Sequence, residues 1–163
     1  MATSTTTSVW RSGGGDTTKT AYAGSMLMVA DFYFSATGAA NTKVQKSSTD
    51  TNNVILPVGA VITEIQANAA GTGGTNPTFD MGFTLYTTGT TNAATLLNEA
   101  DADAGKQVFT WATATVPGAS LGAAMSTSEL VYITGRKGAS AATGGSISGR
   151  ITYYVPTSGA YTA

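Results

Sequence analysis

The chain has 163 residues, a length that suits one domain and can bury a core without covalent staples. It contains no cysteine and no histidine, which excludes disulfides, thiolate nucleophiles, Cys- or His-ligated metal centres and serine–histidine catalysis. Charged residues make up 10% and the net charge is −1, against about 25% charged in an ordinary domain, so no broad positive field attracts nucleic acid or anionic lipid.

With so few ions, the surface must be largely Thr, Ser, Ala, Asn and Gly. Such a surface loses little hydration energy on meeting another protein, because few charges have to be stripped of water. The composition therefore predicts a surface that is covered in use; its rival is a very soluble, secreted Thr-rich β-protein. No run of 18 apolar residues is present, so no helical membrane span is predicted. The opening MATSTTTSVWRSGGG lacks a basic stretch followed by an apolar one. No secretory signal is predicted, and the cytoplasm, or an assembly built there, is the expected location.

In chain order, residues 1–21 carry almost nothing large and apolar except Trp10, followed by Arg11 and the run Gly13-Gly14-Gly15. Alone, such a segment does not offset its ordering entropy. It reads as a flexible N-terminal arm in front of a domain at 22–163. Its functional reading is an arm ordered on a neighbouring subunit and anchored by Trp10.

Period two begins at Ser25. Met26, Met28, Ala30, Phe32 and Phe34 share one strand face, with Leu27, Val29, Asp31 and Tyr33 opposite. Ser35 to Asn53 reads as a loop with a short strand near Val44. At Leu56-Pro57-Val58-Gly59, Pro57 presets the first turn corner and Gly59 tolerates the φ that follows. A strand from Val61 to Asn68 comes next, then loop chemistry through Pro77. Thr78 to Tyr86 alternates cleanly, with Phe79, Met81, Phe83 and Leu85 inward.

Ala94 to Ala102, carrying Leu96 and Leu97, reads as two turns of helix. Gln107 to Ala114 is a strand with Phe109 and Trp111 on one side. Glu129 to Thr134 is a strong β run. The last strand sets Ile147, Gly149, Ile151, Tyr153 and Val155 against Ser146, Ser148, Arg150, Thr152 and Tyr154. Seven or eight strands separated by turns every ten residues or so indicate a single antiparallel, all-β sandwich. The cysteine–tryptophan–cysteine marker of immunoglobulin domains is absent, so the sandwich is predicted to be jelly-roll-like.

Little in the chain suggests chemistry. Asp101, Asp103 and Gly105 echo the start of a calcium loop, but the Glu that pattern requires eleven residues after Asp101 is replaced by Ala112. Glu99 and these two aspartates read first as a solvated turn, and no cofactor is expected. No spacing sets two carboxylates across a cleft. The glycine runs at 13–15 and 71–74 precede neither Lys-Ser/Thr nor a helix, as a phosphate cradle would. Arg136, Lys137 and Arg150 are candidates for a small basic patch that makes inter-subunit contacts. Of the adjacent pair Tyr153 and Tyr154, alternation turns one outward, and Tyr154 is the interface candidate. The reading is non-enzymatic.

Two segments carry a family resemblance. Ile55-Leu56-Pro57-Val58-Gly59-Ala60-Val61-Ile62-Thr63-Glu64-Ile65 resembles the strand–turn–strand of small tailed-phage virion proteins, particularly marine and cyanophage ones. Leu130–Gly135 followed by Gly144–Pro156 is similar to the closing hairpin of the same group. Together they cover less than a third of the chain. The resemblance implies a β-sandwich that decorates or cements an icosahedral head, often as a trimer, while other members sit in tails or fibres. It implies as partners further copies of the chain and the major capsid protein or another virion protein, and no catalytic residue. The expected site of action is the capsid surface, with the host cytoplasm as the place of assembly. A carbohydrate- or receptor-binding module of a tail or fibre is the alternative.

Overall fold

The computed structural model describes residues 27–110 and 120–156. Among them are nine strands and no helix: β1 Met28–Ser35, β2 Thr42–Lys43, β3 Ile55–Leu56, β4 Val61–Ala70, β5 Thr78–Leu85, β6 Thr91–Asp101, β7 Lys106–Thr110, β8 Val131–Lys137 and β9 Ser146–Tyr154. One sheet has the order β1-β9-β4-β7 and the other β2-β8-β5-β6, with β3 also paired to β8. Every pairing is antiparallel. Within a sheet the chain continues only from β2 to β3 and through the β5–β6 hairpin. Every other connection crosses to the opposite sheet, which is the interleaved order of a jelly roll.

The alternation read from the sequence sets the core. Phe32 and Phe34 from β1, Ile65 and Ala67 from β4, and Ile147 and Ile151 from β9 face Phe79, Met81 and Phe83 of β5 and Ile133 of β8, all buried. Burying each of the larger ones contributes about 1.5–3 kcal/mol. Phe34 lies 6.3 Å from Phe32 and meets Phe79 edge-on at 6.1 Å, which links the two sheets. Gly135 makes room for that ring, since a Cβ there would come within 2.7 Å of Phe34. The turn at Pro57 also forms as read, with Gly59 at φ +78°.

The helix predicted at Ala94–Ala102 does not form; all of this stretch but Ala102 belongs to β6. The neighbours Leu96 and Leu97 are both fully buried, which a regular strand cannot do because successive side chains alternate. A bulge resolves this. Met81 pairs with Leu97 and Phe83 with Asn92, so five steps on β6 (97 − 92) oppose two on β5 (83 − 81). The excess residues loop out, with Ala94 at φ +57° and the Thr95 hydroxyl donating to the Asn92 carbonyl at 2.9 Å. The loop lies over Gly82, where a Cβ would strike that carbonyl. Two adjacent buried leucines among alanines imitate a helical stripe; pairing with β5 overrides that weak preference.

Candidate functional site

Strand register places one set of exposed apolar residues at a single end of the sandwich. Met28 pairs with Tyr153, and Val61 with Tyr154, at the end of the first sheet. Leu56 pairs with Val131, and Leu85 with Val131, at the end of the second. Only residues 57–60 separate Leu56 from Val61, so these are the same end. Leu27 (61% exposed), Ile55, Val58, Tyr86 (49%) and Leu130 lie at or beside it.

On the outer face of the second sheet near this end, Tyr86 stacks on Tyr132 with centroids 5.0 Å apart and planes at 19°. Lys43 Nζ lies 3.7 Å above the Tyr132 ring, a favourable cation–ring contact. Glu129 fastens the β5–β6 turn beside them. Its carboxylate accepts the N–H groups of Thr87 (2.5 Å) and Thr88 (3.1 Å) and the Thr88 hydroxyl (3.1 Å). Partial burial pushes the Glu129 carboxyl up, but these hydrogen bonds outweigh it and hold the group below its ordinary 4.5. Sequence reading missed the stack, because Lys43, Tyr86 and Tyr132 come from three separate strands or turns.

The predicted interface residues are dispersed. Trp10 and Arg11 lie outside the described residues. Arg136 is on the outer face of β8 and Arg150 on that of β9, in opposite sheets, so the basic patch predicted for Arg136, Lys137 and Arg150 does not assemble. Each arginine instead meets an aspartate from a neighbouring strand: Arg150 Nε reaches Asp31 Oδ1 at 3.2 Å in the open, and Arg136 meets Asp80. Lys137 lines a shallow cleft of about 290 Å³ at the far end with Ala39, Asp80, Glu99 and Arg136. Tyr154 is half-buried at the end of β9.

That cleft contains a site missed in the sequence. Asp80 is 2% exposed although it points away from the core between Phe79 and Met81. One carboxylate oxygen accepts the Glu99 N–H at 2.8 Å; the other accepts Nε and Nη2 of Arg136, each at 2.8 Å. The Glu99 carboxylate in turn accepts the Ala139 N–H at 2.8 Å and the Thr78 hydroxyl. Both acids therefore tie β5, β6 and the β8–β9 connection together. Asp101 is spent similarly: its Oδ1 accepts the Asp103 N–H at 2.7 Å, capping its own turn. No three acidic side chains converge in metal-binding geometry among the described residues. A lone acid in the outward register of an interior strand was the available signal for Asp80.

These features define an antiparallel jelly-roll sandwich with exposed apolar residues at one end. No protein-family model and no curated protein matches the chain. Among solved structures it is similar to one described as "Cyanophage Pam1 capsid asymmetric unit", with 19% identity and a TM-score of 0.45 over 82% of this chain and 87% of that one.

Proposed function

We propose that the chain is a virion structural protein of a tailed phage, a head decoration or cement subunit that binds the shell as a homo-oligomer. The observation that carries this reading is the sandwich end bearing Leu27, Ile55, Val58, Tyr86 and Leu130 exposed on a chain with 10% charged residues. Apolar surface gathered at one place and poor in ions favours burial against protein. The two segments of family resemblance also lie together in space. β3 pairs with β8 and β4 with β9, so they form one block spanning both sheets. A trimer, as the resemblance implies, makes several modest contacts at once, and each is strengthened by the high effective concentration the others create. The role is non-enzymatic: Asp80 and Glu99 hold strands together.

The test compares electron-microscopy reconstructions of heads assembled with and without the chain. Extra density on the shell that contains this fold, lost with Tyr86→Asp plus Leu130→Asp, supports the reading. Unchanged heads, with the chain free in solution, refute it. A second reading, a glycan-binding module of a tail or fibre, is favoured by the exposed ring of Tyr86, because sugars stack on such faces. Glycan-array binding abolished by Tyr86→Ala would establish that reading instead.

A further inference from the structure

The cleft at the far end of the sandwich gathers ions in a chain that has few. Charged residues are 10% of the sequence, yet Asp80, Glu99, Arg136 and Lys137 all line one cleft of about 290 Å³, together with Ala39, Gly138 and Ala139. A second bulge brings Glu99 there. Phe79 pairs with Ala100 and Met81 with Leu97, so three steps on β6 (100 − 97) oppose two on β5 (81 − 79). Glu99 takes φ +55° with its N–H on Asp80. Bulges of this kind re-aim side chains and are frequent beside functional sites. The cleft wall is also kept small, since a Cβ on Gly138 would strike Thr78 and lie 2.7 Å from the Glu99 carboxylate.

Both carboxylates are already used. Asp80 accepts the Glu99 N–H with one oxygen and Nε and Nη2 of Arg136 with the other. Glu99 accepts the Ala139 N–H and the Thr78 hydroxyl. The cations are not used up. A guanidinium carries five N–H groups in a planar fork. Asp80 engages the Nε–Nη2 edge of Arg136, which leaves the Nη1 side for another acceptor. The Arg136 side chain is 35% exposed, and its buried partner fixes its plane. Among the described residues no acid pairs with Lys137. What the cleft still offers is therefore N–H donors carrying positive charge.

We infer that this cleft binds the side-chain carboxylate of an Asp or Glu presented by a neighbouring protein chain. The two oxygens of a carboxylate match the free edge of the guanidinium, and Lys137 supplies a second cation. Phosphate fits the same edge but carries about −1.5 to −2 charge, and the Glu99 carboxylate opposes the larger charge more. The four charges of the cleft sum to zero, so the partner is held by contact and is not drawn in by a long-range field. The cleft is shallow and just below the size of small-molecule pockets, which begin at about 300 Å³ and enclose most of their ligand. A side chain needs less enclosure, because the chain that carries it is held by its other contacts. This end lies opposite the one bearing Leu27, Val58 and Leu130, so the inference does not rest on what that end contacts.

The test is a titration of the isotope-labelled full-length chain, followed by nuclear magnetic resonance. Four probes are compared: a short blocked peptide with one glutamate, the same peptide with glutamine, sodium acetate and inorganic phosphate. The glutamate peptide is expected to shift the Gly138 and Ala139 amides and the Arg136 Nε–H saturably. The glutamine peptide should be silent and both small anions weaker.

Lys137→Ala and Arg136→Lys are each expected to weaken binding about tenfold, as the loss of one hydrogen bond between charged groups does. Lys137→Ala breaks no side-chain hydrogen bond of the fold, and Arg136→Lys keeps a cation against Asp80 without the fork. A retained thermal transition checks that both remain folded. Equal shifts with the two peptides overturn the inference, as do shifts confined to other residues or none at all. Acetate binding as tightly as the peptide would make the cleft a site for an adventitious anion only. Phosphate binding more tightly than the peptide would remove the carboxylate assignment, and undiminished binding in both variants would remove the cleft.

Discussion

Asp80 shows how a chain with few ions uses one. Its carboxylate is buried against Arg136 and the Glu99 N–H, and Arg136 remains 35% exposed. Removing one partner of a buried pair costs about 3–5 kcal/mol, less where the survivor reaches water. Asp80→Ala is therefore expected to lose about 2–3 kcal/mol in urea unfolding, more than Asp31→Ala, whose pair with Arg150 is open to solvent and contributes about 1 kcal/mol or less. Equal losses would remove Asp80 from that role. Glu129 makes a separate, pH-dependent contribution. Its carboxyl lies lower in the folded chain than its ordinary 4.5, so the stability it adds is present above that value and fades as pH falls through the folded one. The gap in Tm between the parent chain and Glu129→Gln should be open at about pH 7 and narrow at about pH 3. A gap that widens in acid contradicts this.

Among the elements, β6 separates local preference from pairing. If Ala94 lay in a helix, Ala94→Gly would cost about 1 kcal/mol. At φ +57° in the β6 bulge, the same change relieves left-handed strain and is expected to be neutral or stabilising by up to about 1 kcal/mol. Leu96→Ala should cost about 2–5 kcal/mol, as for any fully buried leucine. Thermal melts of the two variants check both signs. Most strands were legible because alternating residues such as Phe79, Met81 and Phe83 have one plausible arrangement on a half-buried sheet. The bulge was not, because it depends on the register between β5 and β6, which adjacent leucines do not encode. The site was less legible than the fold. Tyr86, Tyr132 and Lys43 meet only after three strands pair, and Arg136 and Arg150, nearby in sequence, are separated when β8 and β9 enter opposite sheets. The segments that resemble phage virion proteins are dominated by core residues such as Leu56, Ile62, Ile65, Ile133 and Ile151; they speak to the sandwich more than to its partner.

For the whole molecule, the proposed function depends on contact area with few ion pairs. Association should then change little as salt rises to about 0.5 M, where screening would dissolve an interface held by exposed charges. Apolar burial also predicts a negative heat-capacity change on association, readable by calorimetry at several temperatures; a salt-labile complex with no such change would point to a charged interface. Light scattering of the purified full-length chain over a range of concentrations tests the central claim most directly. The expected result is a defined oligomer that dissociates when Tyr86→Asp and Leu130→Asp are combined. A monomer at every concentration, unaltered by those substitutions, would contradict it.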